Sequence, residues 1–361
     1  MKLLLLCAIV LASCDGITDT NALPPDAGPI GGQGEGGTAG GLACVDPPEG
    51  PPTDVFCMGL YEDRDPTHIA PAAVAYTPGV TFWSDAAEKQ RYLTLPPAAQ
   101  IDTADMDAWK FPVGTKAFKE FRLDGVLVET RLLWKRSATK WEHATYIWDA
   151  DGSNATLNGS HTPTLLPGGY EIPGTPTCDK CHGGGSDRLL GVEAIALALP
   201  AAEGVTLSSL SADGALSDSP DNMDIELPED STGKAAAALG YMHANCGMAC
   251  HSTRGLSGFT QLHMRLRAEE FWPAKGSPLG TVETTDAYQT GIDAEVILAT
   301  YVQAFPGTKL ITPGSHDLSL AWVVAHLRGE HQMPPIVTHV VDESGTQQLA
   351  DWFDALPPTG M

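Results

Sequence analysis

The pattern of apolar and polar positions changes character along the chain. Between about residues 45 and 172 it has the two-residue period of β-strands. Phe118-Lys119-Glu120-Phe121-Arg122-Leu123 runs into Asp124-Gly125, and Val126-Leu127-Val128-Glu129-Thr130-Arg131-Leu132-Leu133-Trp134 follows. An Asp-Gly pair between two such runs predicts a hairpin with a type I′ turn, whose central residues take positive φ. A further strand is expected from Trp141 to Trp148, where Tyr146, Ile147 and Trp148 suit a half-buried pleat. The expectation for this region is a small antiparallel sandwich or barrel-like module. Asp149-Ala150-Asp151-Gly152-Ser153-Asn154 resembles a calcium loop but lacks the downstream Glu ligand, and reads as a turn. Trp83, Trp109, Trp134, Trp141 and Trp148 read as core, or as cover for a buried group.

From residue 232 onward the period is helical. Lys234-Ala235-Ala236-Ala237-Ala238-Leu239-Gly240-Tyr241-Met242 is a strong helix former whose small side chains let a second helix approach closely. At the far end Leu349, Trp352, Phe353 and Leu356 fall at i, i+3, i+4 and i+7, after Asp342 as an N-cap and before Pro357-Pro358. Further helices are expected over 189–199, 294–305 and 318–327, the last ended by Gly329. The acidic, Ser- and Pro-rich stretch 217–229 reads as a solvated loop. The fold class is therefore α+β and multidomain, with a β-rich N-terminal module and an all-α C-terminal unit.

The chain begins with a basic residue, a short apolar run and Leu11-Ala12-Ser13-Cys14. That run is too short for a spanning helix and reads as an export leader. Its end resembles the lipobox of bacterial lipoproteins, which implies a lipid on Cys14; Asp15 leaves inner and outer membrane both open. The segment after it is Gly-, Pro-, Ala-, Asp- and Thr-rich with no Lys, Arg or aromatic residue up to Ala43, so it reads as a tether. The boundaries drawn are 1–13 for the leader, 14–44 for the tether, 45–172 for the β-rich module, 173–231 for a middle segment and 232–361 for the helical unit.

Charge narrows the partners. The 361 residues carry 45 acidic against 21 basic side chains, a net charge of −24, which disfavours nucleic acid and anionic membrane surfaces. A basic redox protein or a small redox carrier fits better, as does a role for the charge in solubility alone.

The candidate chemistry lies in the cysteines, of which there are eight. Cys178-Asp179-Lys180-Cys181-His182 has the C-x-x-C-H form of a c-type haem attachment site: two thiols on one side of a helical turn, followed by an imidazole for the iron. The same spacing also serves redox pairs, half zinc sites and disulfides. A second cluster, Cys246-Gly247-Met248-Ala249-Cys250-His251, favours haem, because two zinc-ribbon pairs would stand much closer together. Here three residues separate the cysteines instead of two, and positions four apart still share a helical face. Cys44 and Cys57 remain as a disulfide across a Pro-rich loop, suited to an oxidising compartment.

Adjacency makes His182 and His251 the proximal iron ligands. For the haem on His251, Met333 in Gln332-Met333-Pro334-Pro335 is the expected second ligand, with His331 as the fallback. No motif marks the second ligand of the haem on His182; His243, His263, Met264, Met242 and Met223 are candidates.

A helix pair beside a Cys-Cys-His motif resembles a class I cytochrome c. The whole pattern resembles bacterial dihaem c-type cytochrome lipoproteins with a β-rich N-terminal module. The segments that carry the resemblance include Phe82-Trp83-Ser84-Asp85, Phe111-Pro112-Val113-Gly114-Thr115-Lys116, Glu129-Thr130-Arg131-Leu132-Leu133-Trp134-Lys135-Arg136, the first haem motif, His243-Ala244-Asn245-Cys246 and Met333-Pro334-Pro335. The resemblance implies two covalently attached haems and electron transfer facing the periplasm. Two alternatives stand beside it: a peroxidase-like or small-molecule oxidising enzyme with an open position at the first haem, and a non-redox binding module whose cysteines hold zinc or disulfides.

Overall fold

The hairpin is formed as its turn chemistry dictates. In the computed structural model, which describes residues 44–358 apart from 167–168, 184–186, 188, 256 and 259, Asp124 and Gly125 take φ of 49° and 78°. The leader, Cys14 and the tether as far as residue 43 lie outside the described residues.

The two hairpin strands sit at the middle of a seven-stranded antiparallel sheet. In chain order its strands are β1 (Val74–Thr77), β2 (Glu88–Thr94), β3 (Lys116–Leu123), β4 (Val126–Lys135), β5 (Trp141–Trp148), β6 (Ala155–Leu157) and β7 (Glu203–Gly204). Their spatial order is β7-β1-β2-β3-β4-β5-β6. The large sheet is open, in place of the sandwich or barrel expected; the described residues add only two small two-stranded sheets, Tyr61–Glu62 with Asp65–Ile69 and Thr164–Leu165 with Glu171–Ile172. On one face Tyr92, Phe118, Leu132, Ala144, Tyr146 and Trp148 pack on Val55, Phe56, Met58 and Leu60. A disulfide joins Cys44 to Cys57 and staples that covering segment, and Asp149 to Asn154 forms the tight turn between β5 and β6.

The other face joins the helices. Leu93, Ala117, Leu133 and Trp141 share one continuous core with Ile195, Leu207, Leu239, Trp352 and Phe353. The helices are α1 (Cys178–His182), α2 (Ala194–Ala198), α3 (Leu207–Ala212), α4 (Ala235–Met242), α5 (Asp286–Gly291), α6 (Ala299–Ala304), α7 (Leu320–His326) and α8 (Glu343–Ala355). As the sequence pattern predicts, α8 is capped by Asp342, whose side chain accepts from the Gly345 N–H at 2.9 Å, and its apolar stripe packs against α4.

Two other helices are shorter than their apolar runs suggest. The run 294–305 is helical only at α6, since Asp293 has φ of 57° and Glu295 bridges to Lys309. The run 189–199 is helical only at α2, because the Glu193 side chain caps the N–H groups of Ile195 and Ala196 and so begins the helix there. Among the described residues no helix is long and apolar enough to cross a membrane.

Candidate functional site

The helix α4 does not end at Met242; it widens into a π turn over His243–Gly247. Two i to i+5 bonds carry it, Met248 N–H to His243 O at 2.9 Å and His251 N–H to Cys246 O at 2.8 Å. A π turn takes up one residue more than an α turn. The third residue between Cys246 and Cys250 is thereby absorbed in the backbone, and both thiols and His251 face one cavity. Gly247 is required by packing, since a Cβ there would stand 2.5 Å from the Arg265 backbone nitrogen.

That cavity has a volume of about 210 Å³ and is open to solvent at its mouth. Its lining is mostly apolar, with Leu262, Val296, Leu310, Leu320 and Val324 among the walls, and it includes Met333 with Pro334 and Pro335. Met333 reaches it from the loop between α7 and α8, held by its N–H bond to Val324 O at 2.7 Å. His331 packs on Tyr301 and Phe305 instead, with ring centres 5.3 and 5.8 Å away, and does not line the cavity.

The His251 ring has its Nδ1 3.1 Å from Leu262 O and 3.2 Å from Thr260 Oγ1. Donation from Nδ1 to the carbonyl leaves the lone pair on Nε2, the tautomer a metal-ligating histidine needs. Burial lowers the pKa of His251 and so favours the neutral ring. Burial also pushes the Cys246 thiol up to about 12, with Cys250 adding to the effect, and raises Cys178, Cys181 and Cys250 as well. A redox pair has a depressed thiol pKa, the reverse of this.

The residues of this second cluster fit a c-type haem. The cavity is apolar enough for a porphyrin, two thiols stand at its wall, an imidazole has its outer nitrogen already engaged, and a thioether comes from a distant loop.

The first cluster is built on the sheet. Pro176 stands inside the 3₁₀ turn Thr175–Thr177, which leads directly into α1 and contacts β5. Beyond α1, Asp187 anchors the chain: its carboxylate pairs with Lys135 and accepts from Trp141 Nε1 at 2.6 Å and from the Phe111 N–H. All three partners are buried, as is Asp187.

Under α1 the sheet presents a row of basic residues. The register pairs Arg91 with Lys119, Lys119 with Arg131, and Arg131 with Thr145. Arg131 has a carboxylate partner in Glu129, but Arg91 is 5% exposed and its Nε has no hydrogen-bond partner. Burial depresses Lys119 well below its ordinary range, with Arg91, Arg131 and Lys89 adding to the effect. Lys119 and Arg131 both act on the Cys181 thiol, offsetting part of the rise that burial causes. A buried cation without a counterion is costly, and Arg91, with Lys119 beside it, suits a group carrying carboxylates at its edge.

The Phe82 to Asp85 loop spans the two clusters. Trp83 lines the second cavity and donates its backbone N–H to Asn245 Oδ1 at 2.7 Å, one residue before Cys246. Phe82 lies 5.8 Å from Lys119 Nζ, on the side of the first cluster. Asp85 accepts from the N–H groups of His339 and Val340. Cys181 also acts on the Cys250 thiol, so the two clusters are neighbours.

The sequence candidates for the first cluster's second ligand fall elsewhere. His243 is buried with both ring nitrogens engaged, Nε2 at 3.3 Å from Glu193 Oε1 and Nδ1 accepting from Leu266 N–H at 3.0 Å. Met242 is in the core, Met223 packs against it, and Met264 lines the second cavity. His263 lies near His251, whose pKa it helps to lower. Facing His182 is a residue that sequence reasoning missed: the His143 ring of β5, with centres 5.9 Å apart and planes at 88°. The only signal for it was register, since His143 pairs with Leu133 and so lies on the sheet face that meets the helices.

No family model, curated protein or solved structure matches the chain.

Proposed function

We propose that the chain is a dihaem c-type cytochrome, an electron carrier tethered to a bacterial membrane through Cys14 and facing the periplasm. One observation carries the reading: Cys246, Cys250, His251 and Met333, from distant parts of the sequence, line a single apolar cavity. Cys246 and Cys250 would hold one haem with His251 and Met333 as ligands, and Cys178 and Cys181 the other with His182. When bound, each haem supplies a one-electron couple at its iron.

The residues themselves orient the ligands and exclude water. Leu262 O fixes the His251 tautomer, Val324 O fixes the Met333 loop, and the apolar walls keep the local dielectric low, which tunes the potential. The net charge of −24 suits a basic redox protein as partner. The non-redox readings have less support: the thiols of both clusters are free of disulfides, and no three His, Cys, Asp or Glu side chains gather as a zinc site among the described residues.

The test is a pyridine haemochrome assay with mass spectrometry on protein expressed with the c-type maturation machinery. Two haems per chain are expected, on the 178–181 and 246–250 pairs. Haem on neither pair would sink the proposal. Haem on the first pair alone would remove the second site from it. A high-spin ferric component with turnover of hydrogen peroxide would turn the carrier into an enzyme.

A further inference from the structure

The first cluster sets two imidazole rings edge to face between α1 and the sheet. His182 ends α1, and His143 projects from β5, one position along the strand from buried Ala144. Their ring centres are 5.9 Å apart, with planes at 88°. Two imidazoles on opposite sides of one metal ion, each at about 2 Å from nitrogen to metal, hold their ring centres roughly 6 Å apart. Direct edge-to-face packing of two rings spans a range of about 4.5–7 Å and so includes this distance. Position separates the two explanations.

His182 directly follows the thiols of the attachment motif, so the iron must stand on the far side of its ring from α1. The wall met there is the sheet. The row next to His143 on that wall is Thr145, Arg131, Lys119 and Arg91, and Arg131 and Lys119 are the charges that reach Cys181. A porphyrin held by Cys178 and Cys181 against this wall would have His143 as a ligand and the cationic row as counterions for its two carboxylates. On one side β4 pairs with β5 through His143, opposite Leu133, so the strand register fixes the face of the sheet on which the ring stands without help from the haem.

The geometry points to His143 as the second axial ligand of the haem carried by Cys178 and Cys181, opposite His182. The inference rests on the dihaem reading and completes it. With both histidines bound, the first iron would carry two imidazoles, whose ring planes lie near perpendicular in this structure. The two haems differ in kind: two histidines at the first, histidine and methionine at the second. Thioether ligation raises the potential, so the first haem is the lower-potential centre and electrons pass from it to the second.

The experiment uses full-length haem-loaded protein, with His143→Ala and His143→Met, read by ferric electron paramagnetic resonance and optical absorption. The wild type is expected to show a strongly anisotropic low-spin signal from perpendicular imidazoles. In His143→Ala half of the total haem becomes high-spin, and added imidazole returns it to low-spin. In His143→Met the haem stays low-spin, the anisotropic signal is lost, and the lower of the two midpoint potentials rises. The inference is overturned if either variant, still carrying two haems per chain, keeps the wild-type low-spin spectrum. It is overturned equally if wild-type protein with two haems shows a high-spin first centre. Absence of covalent haem in the wild type is a separate result and sinks the dihaem reading itself. If His143→Ala does not accumulate, His143→Met, which retains a ligand and most of the volume, carries the test.

Discussion

Gly345 on α8 lies directly against the ring of Tyr241 on α4: a Cβ at position 345 would stand 1.9 Å from Tyr241 Cε2. Tyr241 also lines the second cavity, so this close approach sets how the first and last helices of the C-terminal region meet beside Cys246. Gly345→Ala forces the helices apart or rotates the tyrosine. Overpacking of this sort costs about 1–3 kcal/mol. Urea denaturation of haem-loaded protein should show the midpoint fall with the slope unchanged; an unaltered midpoint would mean that the ring yields freely.

At the other side of the same cavity, Met333→Ala removes the thioether. Any methionine-to-iron charge-transfer band should disappear and the higher midpoint potential should fall, because a Met/His pair sits above other ligations. The covalent haem content should stay at two per chain. A spectrum identical to the wild type would refute Met333 as ligand.

Much of this was legible in the chain, and what was not has a physical cause. The hairpin at Asp124-Gly125 and the stripe of α8 depend on local turn chemistry and period, which sequence carries directly. Cys246, Cys250, His251 and Met333 were legible because each sits in a short motif. The lack of a second large sheet was not, because what covers Phe118 and Tyr146 is the segment Val55 to Leu60 with the short strand that begins at Tyr61. His143 was hidden for a related reason. A histidine in an alternating strand reads as an ordinary polar position until the register, and the helix that packs over it, are known. The π turn was hidden too, since an Ala-rich helix running into Cys246 gives no sign of where its period will widen.

The buried pair of Asp187 and Lys135 makes a prediction about stability. The side chains are 6% and 4% exposed, and Asp187 also satisfies Trp141 Nε1 and the Phe111 N–H. Asp187→Ala leaves a buried ammonium without its partner and should cost about 3–5 kcal/mol. The double change Asp187→Leu with Lys135→Met removes both charges and should recover most of that loss. A single variant within about 1 kcal/mol of wild type would mean that water enters and solvates Lys135.

Glu270 supplies a pH dependence. It is 6% exposed, and burial raises its pKa from the ordinary 4.5 to about 7, against the Arg267 N–H and guanidinium and with Asp286 and Asp107 adding to the rise. The folded chain therefore keeps a proton that the unfolded chain releases at lower pH. Its stabilising contribution is complete below about pH 4.5 and is lost as pH rises through about 7, by on the order of 3 kcal/mol. Glu270→Gln should flatten the stability profile over that window. A profile of the same slope in the variant would assign the dependence to another group.

The basic row under α1 makes the last prediction. Lys119 lies between Arg91 and Arg131 in register, acts on Cys181, and is depressed by burial and by those same cations. Arrival of carboxylates at the edge of the first haem restores its proton, and the charge then favours the reduced iron. Lys119→Met removes that charge. At an effective dielectric near 20, one charge about 10 Å from an iron is worth about 1.7 kcal/mol, or roughly 70 mV for one electron. A spectroelectrochemical titration should show the lower midpoint fall by this order while the higher one moves less, since Met333 and His251 belong to the other cavity. Salt should reduce the difference only in part, because Arg91 is buried and Lys119 and Arg131 are half-buried. Equal small shifts at both centres would place the row away from the haem and leave its uncompensated charge to another anion.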